Sequence, residues 1–322
     1  MKMTRTWGGL LTILLAVLAA APAMPQSAKD QAALANLADP APAKDPQLVK
    51  KPAKLVFGAA RLPAEMKPQA IGSYAKGCLA GAQSLPFDGP HWQVMRKSRN
   101  RNWAHPAMIS VIERLAQDAY EQDGWNGLLV GDMAQPRGGP MISGHASHQI
   151  GLDADVWLTQ MPDHRLTDKE RENISAKSVV KDRKTLNPKV WTESMARLIR
   201  TAANYPEVAR IFVHPPIKAE LCQWATGDRS WLAKVRPYFG HNYHFHIRIK
   251  CPKDSPDCKN QFTPAPKDGT GCGEELAYWM SDIPWAPPKP KPVDPNAPKP
   301  KPVPPLTLAG LPAECRAVVT AP

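Results

Sequence analysis

Two stretches of the chain alternate strictly between apolar and polar positions, and two others repeat apolar residues at helical spacing. In the first alternating stretch Leu152, Ala154, Val156 and Leu158 face one way, and Asp153, Asp155 and Trp157 the other. That period of two is the mark of a strand with one buried face. The second stretch puts Phe245, Ile247 and Ile249 on one face and His244, His246, Arg248 and Lys250 on the opposite one. Shorter strand-like runs cover 127–130 and 210–213. Helical spacing begins at Pro106, a residue suited to a first turn, and continues through Met108, Val111, Ile112, Leu115 and Ala119 to Gly124. A second helix is predicted from Asn187 and Pro188 through Trp191, Met195, Leu198 and Ala202. Strands and helices mix without a βαβ rhythm, so the pattern predicts an α+β fold with a central antiparallel sheet flanked by helices.

Outside 55–285 this patterning stops. Lys2 and Arg5 precede an apolar run from Gly8 to Ala21, and Ala21, Pro22 and Ala23 follow as small cleavage-site residues. Residues 1–23 therefore read as an export signal, and the run is shorter than the ~20 residues a membrane span needs. Residues 24–54, rich in Ala, Pro and Lys, read as a leader linker. The segment 286–305 holds ten of the 36 prolines in a Lys-Pro pattern, the composition of a polyproline II spacer. A tail, 306–322, carries Cys315. The net charge of +12 suits an anionic partner but does not choose among nucleic acid, membrane and cell wall. Six cysteines in an exported chain predict three disulfides. Cys251 and Cys258 enclose a short turn-rich loop and form a local pair; the other pairings stay open. Joining the tail to the body through Cys315 would make Lys289, Lys291, Lys299 and Lys301 a basic strap.

The polar faces of the two strands carry the candidate chemistry. Residues 143–157 contain His145, His148, Asp153 and Asp155, and 241–250 contain His241, His244 and His246. Two histidines two apart on a strand share a side at about 7 Å, so one can bind a metal while its neighbour faces a substrate. Imidazole and carboxylate at three positions leave zinc a fourth, open one, as in catalytic sites. His91, His105, His164 and His214 lack such company and read as structural. No H-E-x-x-H helix, G-x-S-x-G elbow or phosphate-cradling glycine loop is present. Cys222 reads as a disulfide partner, not a nucleophile.

The six-residue gap between His148 and Asp155, with His244 and His246 following later, resembles the metallopeptidases that unite lysostaphin-type enzymes, D-Ala-D-Ala peptidases and hedgehog domains. The strings at 72–81, 131–140 and 143–157, and Arg210 to Pro215 with Cys222 following, are more closely similar to the penicillin-insensitive murein endopeptidase family. The resemblance covers about 56–285. It implies a hedgehog/D-Ala-D-Ala peptidase-like fold with His148, Asp155 and His246 as zinc ligands. His241 and His244 become nearby catalytic histidines, and His145 a further metal contact. Asp182 is the candidate for a second metal, with Thr185 where a histidine partner would stand. The implied disulfides are Cys78–Cys315, Cys222–Cys272 and Cys251–Cys258. The implied activity is hydrolysis of D-alanyl–meso-diaminopimelyl cross-links in the periplasm by a zinc-activated water. Peptidoglycan cross-link peptides are then the partner, with neither nucleic acid nor integral membrane association. The rival reading is a non-catalytic peptidoglycan-binding module.

Overall fold

The computed structural model describes residues 47–287 and 304–322. The predicted signal, most of the leader, and Lys289, Lys291, Lys299 and Lys301 lie outside the described residues. The strands at the centre of the main sheet are those whose alternation is plain in the sequence. Strand His244–Ile249 pairs antiparallel with Asp153–Gln160 on one side and with Val208–Val213 on the other. Leu128–Val130 extends the sheet next to Asp153–Gln160. Phe245, Ile247, Ala154, Val156 and Leu158 are fully buried, packed with Met108, Ile112 and Leu115 and with Leu198, Ile199 and Ala202 of the two long helices. Each Val, Leu, Ile, Met or Phe side chain among them contributes roughly 1.5–3 kcal/mol by leaving water.

The sheet is mixed, which corrects the antiparallel expectation at its flanks. Trp92–Val94 runs parallel to Leu128–Val130, and Val235–Pro237 parallel to Val208–Val213. A parallel pair needs a crossover connection. Helix Pro106–Gln122 lies in the first crossover and helix Pro215–Trp224 in the second. Two βαβ-like units are therefore present that the sequence rhythm hides, because their short strands, Trp92–Val94 and Val235–Pro237, span three residues each.

The first predicted helix begins as expected at Pro106, and the His105 side chain accepts the Ala107 N–H at 3.2 Å. The second starts later than predicted, at Glu193. Asn187 Oδ1 accepts the Lys189 N–H at 3.1 Å, its carbonyl accepts the Trp191 N–H at 2.9 Å, and Thr192 is extended at φ −133°. That turn holds Pro188 outside the helix.

A second, smaller core joins the two described ends of the chain. Ala53, Phe57, Ile71 and Ala80 pack with Leu308, Leu311, Val318 and Val319 around the Cys78–Cys315 disulfide. Arg137 locks the tail by donating to the carbonyls of Val318, Val319 and Ala321 at 3.1, 2.9 and 2.8 Å. Cys222–Cys272 and Cys251–Cys258 complete the three disulfides, each pairing as the resemblance implies. Among the described residues no helix is long and apolar enough to cross a membrane.

Candidate metal centre

Register between the two central strands builds the site. His246 lies opposite Asp155, Arg248 opposite Asp153, and His244 opposite Trp157. Opposed residues share a face, so two carboxylates and two imidazoles meet on the side away from the apolar core. The third element is the loop that precedes Asp153–Gln160. There His148 adopts φ +66°, a left-handed conformation uncommon for a residue with a side chain. Its backbone N–H donates to Asp153 Oδ2 at 2.9 Å, which fixes the loop to the strand.

His148 Nε2, Asp155 Oδ1 and His246 Nδ1 form a triangle with edges of 3.5, 3.2 and 3.2 Å. Four tetrahedral donors at about 2.0–2.1 Å from one zinc stand about 3.3–3.4 Å apart, so this triangle fits three positions of such a site. Asp155 Oδ1 is buried and has no hydrogen-bond partner among the described residues, an orphaned acceptor that a bound cation would satisfy. An overlapping set, His145 with His148 and Asp155, has its donor atoms within 4.8 Å of one another. Its His145 Nδ1 stands 3.7 Å from Asp155 Oδ2, while Nε2 faces Asp132 Oδ2 at 3.0 Å. The tighter triangle is the one with His246.

Electrostatics around the triangle have identifiable sources. Burial opposes ionisation of Asp155, but His244 and His148 outweigh it and hold the carboxyl well below its usual range. Burial would likewise depress His246, yet Asp153 and Asp155 beside it push the imidazolium up to about 9. A metal cation in the triangle would take the place of that proton. His241 is pushed down to about 3 by burial and by His246 and His244, so it is neutral. Its Nδ1 lies 2.7 Å from the Phe239 carbonyl and must be the protonated nitrogen there. The lone pair is left on Nε2. His244 is also held neutral, chiefly by burial, with Nε2 3.6 Å from Asp155 Oδ1.

An open cleft of about 680 Å³ lies over the centre, walled by His145, Phe212, Tyr238, His241, His244 and His246. A smaller lobe of about 210 Å³ adjoins it beside Trp157 and Tyr243, sharing Arg99, Asp132, His145 and His244. All six expected site histidines and acids thus meet at one place. Asp182 does not join them; its carboxylate accepts the Lys184 N–H of its own hairpin at 2.9 Å.

The sequence reading gave Asp153 no role and did not single out Asp132, Arg99 or Arg101. Asp153 is fully buried, accepts from Arg248 Nε at 2.7 Å, and faces His246 Nε2 at 3.0 Å. Strand alternation had already put it on the site face. Asp132 Oδ2 collects Arg101 at 2.8 Å, Arg99 at 3.1 Å and His145. No periodicity marks that cluster: Arg99 and Arg101 lie on one short segment, and Asp132 and His145 on two others outside the regular strands and helices.

Comparison with known proteins gives this geometry a family. The family described as penicillin-insensitive murein endopeptidase matches residues 70–320. The protein of that name from Haemophilus influenzae is 48% identical over 227 residues, covering 70% of this chain and 76% of its own. Its counterpart from Yersinia enterocolitica is 43% identical over 258 residues, covering 80% and 87%. The Salmonella newport protein is 43% identical over 238 residues, covering 74% and 84%. The chain belongs to the penicillin-insensitive murein endopeptidase family.

Proposed function

We propose that the protein is a periplasmic zinc endopeptidase that hydrolyses D-alanyl–meso-diaminopimelyl cross-links of peptidoglycan, on a hedgehog/D-Ala-D-Ala peptidase-like fold. The observation that carries this is the His148–Asp155–His246 triangle at the base of a two-lobed cleft, in a chain of this family. An endopeptidase must seat chain on both sides of the scissile bond, and two lobes meeting at the donors supply that. His148, Asp155 and His246 would hold the metal, with His145 as a further contact. Zinc bound there supplies Lewis-acid polarisation and activates water near neutral pH.

The residues of the chain divide the remaining work. Asp153 and Arg248 fix the His246 ring from behind. His241 offers the Nε2 lone pair to accept a proton from the attacking water, since Nδ1 is committed to Phe239. His244 stabilises the oxyanion that develops on the scissile carbonyl. Neither histidine motif contains a glutamate, so imidazole stands in for the carboxylate base.

Mass spectrometry of purified cross-linked muropeptide dimers tests the reading. Wild type should yield monomers, insensitive to β-lactam and abolished by chelator, and His246→Ala should leave the dimers intact. His244→Ala should retain zinc and lose about 10²–10⁴-fold in kcat; loss of the metal in that variant would make His244 a ligand instead. Undigested dimers, with protein that merely sediments with intact sacculi, would favour the wall-binding module.

A further inference from the structure

We infer that Arg99 is a specificity residue that takes the carboxylate of the amine-side half of the substrate; this rests on the cross-link reading above. Four arginines line the two lobes. Three are committed. Arg96 donates from both terminal nitrogens to the carbonyls of Arg171 and Ile174, each at 2.7 Å. Arg101 spans Asp132 at 2.8 Å and the Ser143 carbonyl at 3.1 Å, with its side chain only 12% exposed. Arg248 holds Asp153 through two nitrogens and Gln261 through the third. Among the described residues the Arg99 guanidinium makes one hydrogen-bonded ion pair, NH1 to Asp132 Oδ2 at 3.1 Å, and its side chain is 48% exposed. A guanidinium carries five N–H donors in a fork that matches a carboxylate, so most of this one faces the cleft unspent.

The turn that bears Arg99 is built to hold it there. Arg96 and Asn100, on either side of the short helix Lys97–Arg99, both have positive φ, at 56° and 52°. Every neighbour is anchored: Lys97 on Asp168, Ser98 on Glu172, and Asn100 on the Arg61 carbonyl and the Trp103 indole. Asp132 carries one charge against the two of Arg99 and Arg101, and His145 ties that cluster to the centre through its other nitrogen. The local excess of positive charge lies next to the donors, in the region both lobes share.

The substrate chemistry asks for such a group. Diaminopimelate is a diamino diacid, so the carbon bearing the acylated amine also bears a carboxyl. A carboxylate therefore sits two bonds from the amide nitrogen of the cross-link, and it approaches the centre with the scissile bond. An uncompensated anion there would be desolvated at a cost. Arg99 meets it without breaking an existing pair.

The experiment compares two muropeptide dimers: one with a free carboxyl at the acylated diaminopimelyl centre, and the same dimer with that carboxyl as a carboxamide. Wild type should favour the free acid in kcat/KM by about tenfold or more, since truncating one partner of a charge-assisted pair typically has at least that effect. Arg99→Gln should bring the ratio near unity, mainly through KM on the acid dimer. Arg99→Lys, which keeps the charge without the fork, should be intermediate. If wild type does not discriminate, or Arg99→Gln slows both dimers equally, Arg99 serves only to support Asp132 and the assignment falls. If wild type cuts neither dimer, the cross-link reading itself fails, and this assignment with it.

Discussion

At Asp153 a buried carboxylate accepts the His148 N–H and two guanidinium N–H groups of Arg248 while facing His246 Nε2. A carboxylate behind a metal-binding imidazole fixes its orientation and raises its basicity. Asp153→Asn should therefore weaken metal binding about 10- to 100-fold, measured by competition with a chelating dye, without touching the donor triangle. An unchanged affinity would show that backbone register alone orients His246. Strand periodicity converts spacing into facing and so puts His244, His246, Asp153 and Asp155 on one side; the choice of His148, Asp155 and His246 as the donor triangle comes from the family resemblance. The sequence did not make the support legible. Arg248 is 95 residues from Asp153, and only the pairing of the two strands brings them opposite one another. Asp132 and His145 come from loops and Arg99 from a three-residue helix, too short for a period to be read.

Among the elements, the 143–152 loop depends on Gly151, which has φ +70°. A Cβ there would stand 2.5 Å from Leu79 Cδ2 and 2.7 Å from the His105 backbone nitrogen. Gly151→Ala should lower stability by about 1–3 kcal/mol in chemical denaturation, and it should reduce metal content, because His148 is three residues away on the same strained loop. A variant with full stability and metal would show the loop to be more compliant than these contacts imply. Helix Pro215–Trp224 supplies a different test through Lys218. Its ammonium is fully buried and donates to the Leu232 and Thr270 carbonyls at 2.6 and 2.7 Å. Burial pushes its pKa down from 10.5 to about 7. Between those values the unfolded chain holds a proton that the folded protein does not, so this group makes stability rise with pH by up to about 1.4 kcal/mol per unit. Lys218→Met should flatten the stability profile between about pH 7 and 10, whatever it does to stability at one pH. An identical slope in the variant would place the titration elsewhere. This helix also shows where the sequence was mute: its parallel crossover ends in a three-residue strand, too short for an alternation to show.

For the whole molecule, the clamp between the two described ends is the feature that no local pattern predicts. The cysteine count and the family resemblance point to Cys78–Cys315, but the apolar residues around it, Phe57, Ile71, Leu308 and Val318, lie far apart in the chain and show as a core only once folded. Replacing both cysteines by serine should cost about 2–5 kcal/mol, read as a lower denaturant midpoint. Because Arg137 both caps the tail carbonyls and accepts Leu79 N–H on its own carbonyl at 3.0 Å, the loosening should reach the neighbouring Gln149 carbonyl, which accepts the Gly139 N–H at 2.8 Å. Faster amide exchange at Leu79 and Gly139 in the double variant would register it; unchanged protection would confine the clamp's influence to the tail.

That clamp also decides what a peptide-bond break would mean for this molecule. Cys78 and Cys315 are 237 positions apart, so most of the chain lies inside one covalent ring. A single scission anywhere within the ring, the Lys-Pro segment included, opens it without separating the two fragments. Such a nicked molecule would migrate as one species until reduced and as two afterwards. The ring lets the strands of the candidate metal centre and the tail outlast the first cut as a single physical object.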